Sequence, residues 1–244
     1  MLKNKVVLIT GAGSGLGRAL AQAFCKEGCQ VIGLGRQQAR LEETADSIGG
    51  ENFTYYAVDV LDYDLLSRTV GEVSEKHQTI DILFNNAAVY PKINFVDESA
   101  GTFTEAIEIN VIGVANVCKA VLPVMFKQDS GRIYNLGSWA DLSPIANSAA
   151  YSASKGAIHA LTKGIAADIA HLQKQVEVHE WIPGHLNTQM SDYTGIDPSV
   201  SAGWAVMLAQ RTNTKKNSIF ERDQEWLPPK SLKQKIKSKL QFWK

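Results

Sequence analysis

The sequence predicts an α/β fold: a single domain on a doubly wound parallel sheet of about six to seven strands, with helices on both faces. Three observations carry that expectation. Apolar runs of four to seven residues alternate, six times over, with stretches of ten to twenty residues of helical periodicity. Parallel neighbours need a crossover connection, which a helix supplies. The length, 244 residues, suits one such domain better than two small ones and lets it bury a core without stapling.

The elements follow in order. Val6-Val7-Leu8-Ile9 is a continuous apolar run of buried-strand length. Glycines at 11, 13, 15 and 17 come next, then Leu20, Phe24 and neighbouring alanines at helical spacing, ending at Gly28. Val31-Ile32-Gly33-Leu34 is the second strand, and Leu41, Ala45 and Ile48 mark the second helix. The aromatic and β-branched run Phe53 to Val58 is a third strand. Leu65, Leu66, Val70 and Val73 give a helix face before the fourth strand, Ile80 to Phe84. A helical stretch over 102–127 precedes the fifth strand, Arg132 to Leu136, and another over 150–173 precedes the sixth, Val176 to Ile182. The composition changes after about residue 211, so residues 1–211 are expected to form the domain and 212–244 an atypical C-terminal segment.

Composition removes several classes of function. With 45% hydrophobic and 20% charged residues, 19 Gly and 7 Pro, the chain is neither disordered, collagen-like nor a coiled coil. The balance of 25 basic against 25 acidic residues lacks the excess of general nucleic-acid binding. No apolar run reaches the roughly 18 residues of a membrane span. The N-terminus enters a strand-like run within five residues, where a secretory signal would show an apolar stretch and a small-residue cleavage site. Cys25, Cys29 and Cys118 are odd in number and lack metal spacing. Reduced thiols in a cytoplasmic protein without a metal are therefore expected.

Thr10-Gly11-Ala12-Gly13-Ser14-Gly15-Leu16-Gly17 joins a strand to a helix. Without Cβ atoms the backbone turns tightly and approaches a pyrophosphate, whose charge a helix N-terminus favours. A glycine-rich turn without a ligand is the plain alternative. Leu16 in the last position departs from G-x-G-x-x-G, and no Gly-Lys-Ser/Thr follows as in a nucleoside triphosphate loop. Dinucleotide sites usually hold the adenosine ribose with an acid at the end of the second strand. Here that strand ends Leu34-Gly35-Arg36. A positive Arg36 at that corner suits a 2′-phosphate, hence NADP(H) over NAD(H); a solvated surface arginine is the alternative.

Tyr151 and Lys155 are four residues apart, on one helix face. With 7 Tyr and 18 Lys in the chain, about half such a pair arises by chance, so its surroundings carry the weight. Ser138 ends the fifth strand, at the carboxyl edge where such sheets bind ligands. A free Tyr titrates near 10, and an adjacent ammonium stabilises the phenolate.

Together these residues resemble the short-chain dehydrogenase/reductase family over roughly residues 3–190, which implies a Rossmann-like sheet. The family motif T-G-x-x-x-G-x-G is met by Thr10, Gly11, Gly15 and Gly17, with Ser14 and Leu16 inside it. Its acid after the third strand is Asp59, followed by Val60, which the resemblance places at the adenine. N-N-A-G reads Asn85-Asn86-Ala87-Ala88, and P-G-x-x-x-T is Pro183-Gly184-His185-Leu186-Asn187-Thr188, expected near the nicotinamide carboxamide. The catalytic set falls on Asn110, Ser138, Tyr151 and Lys155.

The resemblance implies roles for that set. Tyr151 passes a proton to or from the substrate oxygen, which Ser138 orients. Lys155 lowers the Tyr151 pKa and holds the nicotinamide ribose. Asn110 breaks its helix locally and holds a water linking Lys155 to solvent. The expected activity is hydride transfer between NADP(H) and a ketone or secondary alcohol. A nucleotide-sensing regulator on the same fold is the alternative, disfavoured because a pure binder needs no Ser or Asn there.

Two departures stand out. The sixth strand carries His179 and Glu180 before Trp181-Ile182-Pro183-Gly184, read either as catalytic auxiliaries or, with more weight, as strand-edge packing or polar pairing. The Val-Asp-Gly-Gly ending of tetrameric relatives is missing, so a homo-oligomer, a dimer at least or a tetramer, is expected through the two long helices. His77, His159, His171 and His185 lack ligand-like spacing. Trp139, Tyr90, Met190 and Tyr193 either line the substrate pocket or cap the core. The ten residues between Thr188 and the next helix predict a short lid. Residues 230–244 hold six Lys and no acid, leaving 1–229 at a formal −6. With Leu232, Ile236 and Leu240 at helical spacing after Pro228-Pro229, this tail is expected on an anionic membrane surface or docked on the acidic body or another subunit.

Overall fold

The computed structural model describes residues 2–212 and 217–226. Eight strands form one sheet: β1 (Val6–Thr10), β2 (Gln30–Gly35), β3 (Phe53–Ala57), β4 (Ile82–Asn85), β5 (Gly131–Leu136), β6 (Val176–Ile182), β7 (Ile219–Glu221) and β8 (Gln224–Trp226). The helices are α1 (Gly15–Lys26), α2 (Gln38–Ile48), α3 (Tyr63–His77), α4 (Ala100–Ile107), α5 (Gly113–Lys127), α6 (Ala149–His171) and α7 (Pro198–Gln210). The strand order is β3-β2-β1-β4-β5-β6-β7-β8. Every pairing from β3 to β7 is parallel; β8 returns antiparallel on β7. The order reverses between β1 and β4, which opens a crevice beyond their carboxyl ends where ligands of such sheets bind.

Alternation along each strand sends side chains to two cores. Val7, Ile9, Phe84 and Trp181 pack with Leu20 and Phe24 of α1 and Leu208 of α7. Leu8, Leu83, Ile133 and Val178 pack on the opposite face with Val70 of α3, Val121 of α5 and Ile158 of α6. Burial on both faces is why the central strands read as unbroken apolar runs.

Two elements differ from the sequence reading. The stretch read as one helix over 102–127 is α4, a π-turn at Glu108–Ile112 and α5. By length and composition Ala100–Lys127 could cross a membrane, yet half of its apolar window is buried in the protein, as in a core helix. The hairpin β7–β8 lies after residue 211 and extends the sheet by three-residue strands too short to read from periodicity. Phe220 in β7 is fully buried, and the Trp181 indole N–H donates to the Arg222 carbonyl at 2.9 Å. β6 is therefore an interior strand, not an edge. The basic tail 230–244 and Pro228-Pro229 lie outside the described residues.

Candidate active site

The carboxyl ends of the strands collect the glycine loop. Gly11 and Gly15 hold φ of +67° and +50°, and a Cβ on Gly17 would lie 2.0 Å from the Gly11 carbonyl oxygen. These positions take glycine for backbone reasons. Ser14 caps α1 in extended conformation without a side-chain capping bond, and the first turn carries no acid. The N–H groups and positive end of α1 are therefore left for an anion, which fits a dinucleotide pyrophosphate. Leu16 is buried in the core under α1, so its backbone faces the loop and its side chain does not.

Neighbouring loops lock onto this one. The Thr10 hydroxyl accepts the N–H groups of Asn86 and Ala87, both at 3.0 Å, and the Asn86 amide donates to the Thr10 carbonyl at 2.9 Å. Pro183 and Gly184 (φ +93°) leave β6 and bring Thr188 over the glycine loop; a Gly15 Cβ would sit 3.3 Å from the Thr188 methyl. Asp59 accepts the Leu61 N–H at 3.0 Å and fixes the turn after β3, with Val60 buried beside it. Arg36 is exposed one residue beyond β2. Arg40, unnoticed in the sequence, joins it at the loop: its Cβ is 3.0 Å from where a Gly13 Cβ would stand.

Asn110, Ser138, Tyr151 and Lys155 come together on the other side of the crevice. Asn110 sits inside the π-turn, where helical register slips and its amide turns outward. That amide accepts from the Val89 N–H at 2.8 Å, donates to the Val89 carbonyl at 2.9 Å and reaches the Ser154 hydroxyl at 3.0 Å. The loop after β4 is thereby tied to α6. Ser138 follows β5 and accepts the Ala140 N–H at 3.1 Å. Tyr90, from the loop after β4, stacks on Tyr151 with ring centroids 4.5 Å apart. Trp139 meets Trp226 of β8 edge-on at 5.3 Å, so the C-terminal hairpin walls the site beside Ser138. Met190 and Tyr193 are exposed on the segment between Thr188 and α7, and do not cap the core. A Lys92–Asp192 ion pair of 2.5 Å ties that segment to the loop carrying Tyr90.

Burial dominates the electrostatics of the pair. Burial pushes the Tyr151 phenol up to about 12; the neighbouring Ser138 hydroxyl lowers it and Tyr90 raises it. The Lys155 ammonium lies over the ring, 5.4 Å from the centroid, and donates to the Leu136 carbonyl at 2.8 Å. Burial brings Lys155 itself down to about 8, while Glu180 acts to raise it.

His179 and Glu180 separate onto opposite faces of β6. His179 is buried with Tyr134 and Phe220, 3.0 Å from Glu177, and accepts the Ser218 N–H. This is polar pairing within the sheet. Glu180 faces α6, with its carboxylate 2.6 Å from His159 Nδ1. His159 thus has a partner that spacing against other histidines did not reveal. The available signal was its place four residues after Lys155.

Comparison with known proteins agrees with this geometry. The sequence profile described as short chain dehydrogenase matches residues 5–198. The chain belongs to the short-chain dehydrogenase family. Oxidoreductase UcpA of Salmonella typhimurium is 38% identical over 194 residues, spanning 78% of this chain and 73% of that protein. The crystal structure of NAD+-bound xylitol dehydrogenase superposes with a TM-score of 0.80 at 28% identity, covering 90% of this chain and 98% of that one. A metagenomic short-chain oxidoreductase in complex with NADP has the same fold, with a TM-score of 0.78 at 24% identity over 91% and 99% of the two chains. This short-chain dehydrogenase is an oxidoreductase of a family that binds a nicotinamide cofactor, and its structural neighbours include complexes with either form.

Proposed function

We propose that this short-chain dehydrogenase transfers a hydride between NADP(H) and a ketone or secondary alcohol, with Tyr151 as general acid and base. What supports this most is the meeting of Ser138, Tyr151 and Lys155 across the crevice from an uncapped helix N-terminus. The cofactor, when bound, supplies or takes the hydride. Thr10, Gly11, Ser14, Gly15, Leu16 and Gly17 would hold its phosphates through backbone N–H groups, and Asp59, Val60, Asn86 and Ala87 would flank the adenosine side. Pro183, Gly184 and Thr188 would close over the nicotinamide.

The chain's own residues then handle the oxygen. Ser138 donates a hydrogen bond that orients a carbonyl, and the neutral Tyr151 phenol gives its proton as the alkoxide forms. Burial keeps that phenol protonated, which favours the acid role. Asn110 fixes the loop beside Tyr90 and so shapes the substrate side. Stacked Tyr90 and the Trp139–Trp226 pair favour a flat or apolar carbonyl compound.

The cofactor preference rests on Arg36 and Arg40 beside the glycine loop, with no acid where a ribose acceptor stands in NAD enzymes. A homo-oligomer in the cytoplasm remains our reading of the assembly and location. A turnover screen of carbonyls and alcohols, run in parallel with NADPH and NADH, tests the function. Turnover with NADPH supports it; reduction only with NADH, or none across the panel, goes against it.

A further inference from the structure

Tyr90 lies face to face with Tyr151, the ring centroids 4.5 Å apart and the planes 20° from parallel. The Lys92 ammonium lies over the Tyr90 ring, 5.8 Å from its centroid, and pairs with Asp192 at 2.5 Å. Asp192 ends the short turn Gln189–Ser191, which Thr188 caps, and Thr188 stands over the glycine loop. Direct contacts therefore run from that turn to the Tyr151 ring through Asp192, Lys92 and Tyr90.

The backbone on either side of Tyr90 is constrained. Asn110 bonds both ways to Val89, one residue earlier, at 2.8 and 2.9 Å. Pro91, one residue later, disfavours helical backbone at Tyr90. Lys92 and Asp192 both hold left-handed backbone, with φ of +55° and +54°, as does Tyr193 at +60°. Lysine and tyrosine lack the short polar side chain that eases this conformation, so it persists only where surrounding contacts impose it. The Asp192 side chain is 79% exposed, so the ion pair by itself adds little to stability. Its consequence is to keep Lys92 on the Tyr90 ring. A stack at this separation attracts beyond its buried area, and a cation over the ring adds to it. An aliphatic side chain would fill the same space without either effect.

We propose that Tyr90 is a positioning residue for the reaction, aligning the Tyr151 ring, and that Lys92 and Asp192 hold Tyr90 in that place. This rests on the reading of Tyr151 as proton donor. The Tyr151 hydroxyl has to point at the substrate oxygen as hydride moves, and a misplacement of about 1 Å can cost roughly 100-fold in rate. The stack fixes the plane of the ring, while Ser138 meets its hydroxyl. Because Asp192 ends the turn that Thr188 begins, the segment over the glycine loop and the catalytic ring are set together. Tyr90 acts through Tyr151, and Lys92 and Asp192 act through Tyr90.

The test uses the full chain with Tyr90→Phe, Tyr90→Leu, Lys92→Met and Asp192→Asn. NMR of ring-labelled tyrosine reads the stack with neither cofactor nor substrate, the Tyr151 signal being identified by its loss in Tyr151→Phe. An aromatic neighbour shifts that signal through its ring current. Tyr90→Leu should therefore move it, Tyr90→Phe should leave it nearly in place, and Lys92→Met should move it part of the way. On a carbonyl that the unaltered enzyme reduces, Tyr90→Leu should lower kcat roughly 10-fold, more than it changes KM, and Tyr90→Phe should recover most of that loss. Lys92→Met and Asp192→Asn should each lower kcat about 3-fold, and the double variant no further, because both remove one pair. An unmoved Tyr151 signal or an unaltered kcat in Tyr90→Leu overturns the proposal, as does a loss that Tyr90→Phe shares in full. If Tyr90→Leu does not fold, additive losses in the Lys92 and Asp192 variants, or a Tyr151 signal unmoved in Lys92→Met, overturn it. Failure of the Tyr151 reading shows separately, as turnover retained in Tyr151→Phe.

Discussion

The Lys155 ammonium lies over the Tyr151 ring, 5.4 Å from its centroid, and is held by the Leu136 carbonyl. The two groups consequently rest at opposite extremes. Burial favours the neutral form of each, raising the phenol to about 12 and lowering the amine to about 8. Near neutral pH the protein alone keeps Tyr151 as an acid and leaves Lys155 within reach of either state. Such a pair suits proton delivery to a developing alkoxide.

The buried lysine should be visible in stability. Its folded pKa, about 8, lies below the ordinary 10.5. Below pH 8 the charge is present in both states and the whole burial penalty is felt. Between pH 8 and 10.5 the unfolded chain binds more protons than the native one, so this residue's contribution improves as pH rises. Lys155→Met should therefore be more stabilising near neutral pH than at pH 10.5, the difference amounting to about 3 kcal/mol. Denaturant unfolding of both proteins across that range checks it. A difference independent of pH would mean that Lys155 is not buried as a cation.

Cofactor choice should follow the two arginines. A guanidinium–phosphate contact is worth about 1.5–3 kcal/mol. Arg36→Ala is expected to weaken NADPH binding about 10- to 100-fold and to leave NADH nearly unchanged, and Arg40→Ala should act in the same direction. Calorimetric titration decides; equal affinity of the unaltered protein for both cofactors contradicts the preference.

Gly17 is the least replaceable position of the glycine loop. An alanine Cβ there would lie 2.0 Å from a backbone oxygen and 2.7 Å from the Asn86 amide, and a backbone atom cannot swing aside. Gly17→Ala should cost at least about 3 kcal/mol or prevent folding. Gly137→Ala meets the Glu180 side chain, from Cγ to Oε1, instead of a backbone atom. Its stability loss should be the smaller of the two by thermal unfolding.

The sheet was legible because its central strands are buried on both faces and each is followed by a helix-length stretch. Val6-Val7-Leu8-Ile9 and Val176–Ile182 appear in the structure as β1 and β6. What escaped was set by contacts between distant segments. Three-residue β7 has no period of its own and exists because Phe220 and the Arg222 carbonyl complete the surroundings of Trp181. Tyr151 and Lys155 could be paired by spacing and Ser138 placed at the carboxyl edge of the fifth strand, whereas Asn110 joined them only through the family resemblance. Glu180 read ambiguously because the face it takes depends on strand register, and Tyr134 pairs with its neighbour His179. Arg40 went unnoticed since only the fold brings its Cβ against Gly13.

The account stands most directly on the Tyr151 hydroxyl. Tyr151→Phe keeps the ring that stacks on Tyr90 at 4.5 Å and removes only the proton donor. The decisive measurement is the turnover rate of this variant with NADPH and a carbonyl substrate of the unaltered enzyme, alongside NADPH binding by calorimetry. A fall of at least about 100-fold in kcat with cofactor affinity retained is the predicted result. Turnover at the unaltered rate would contradict it.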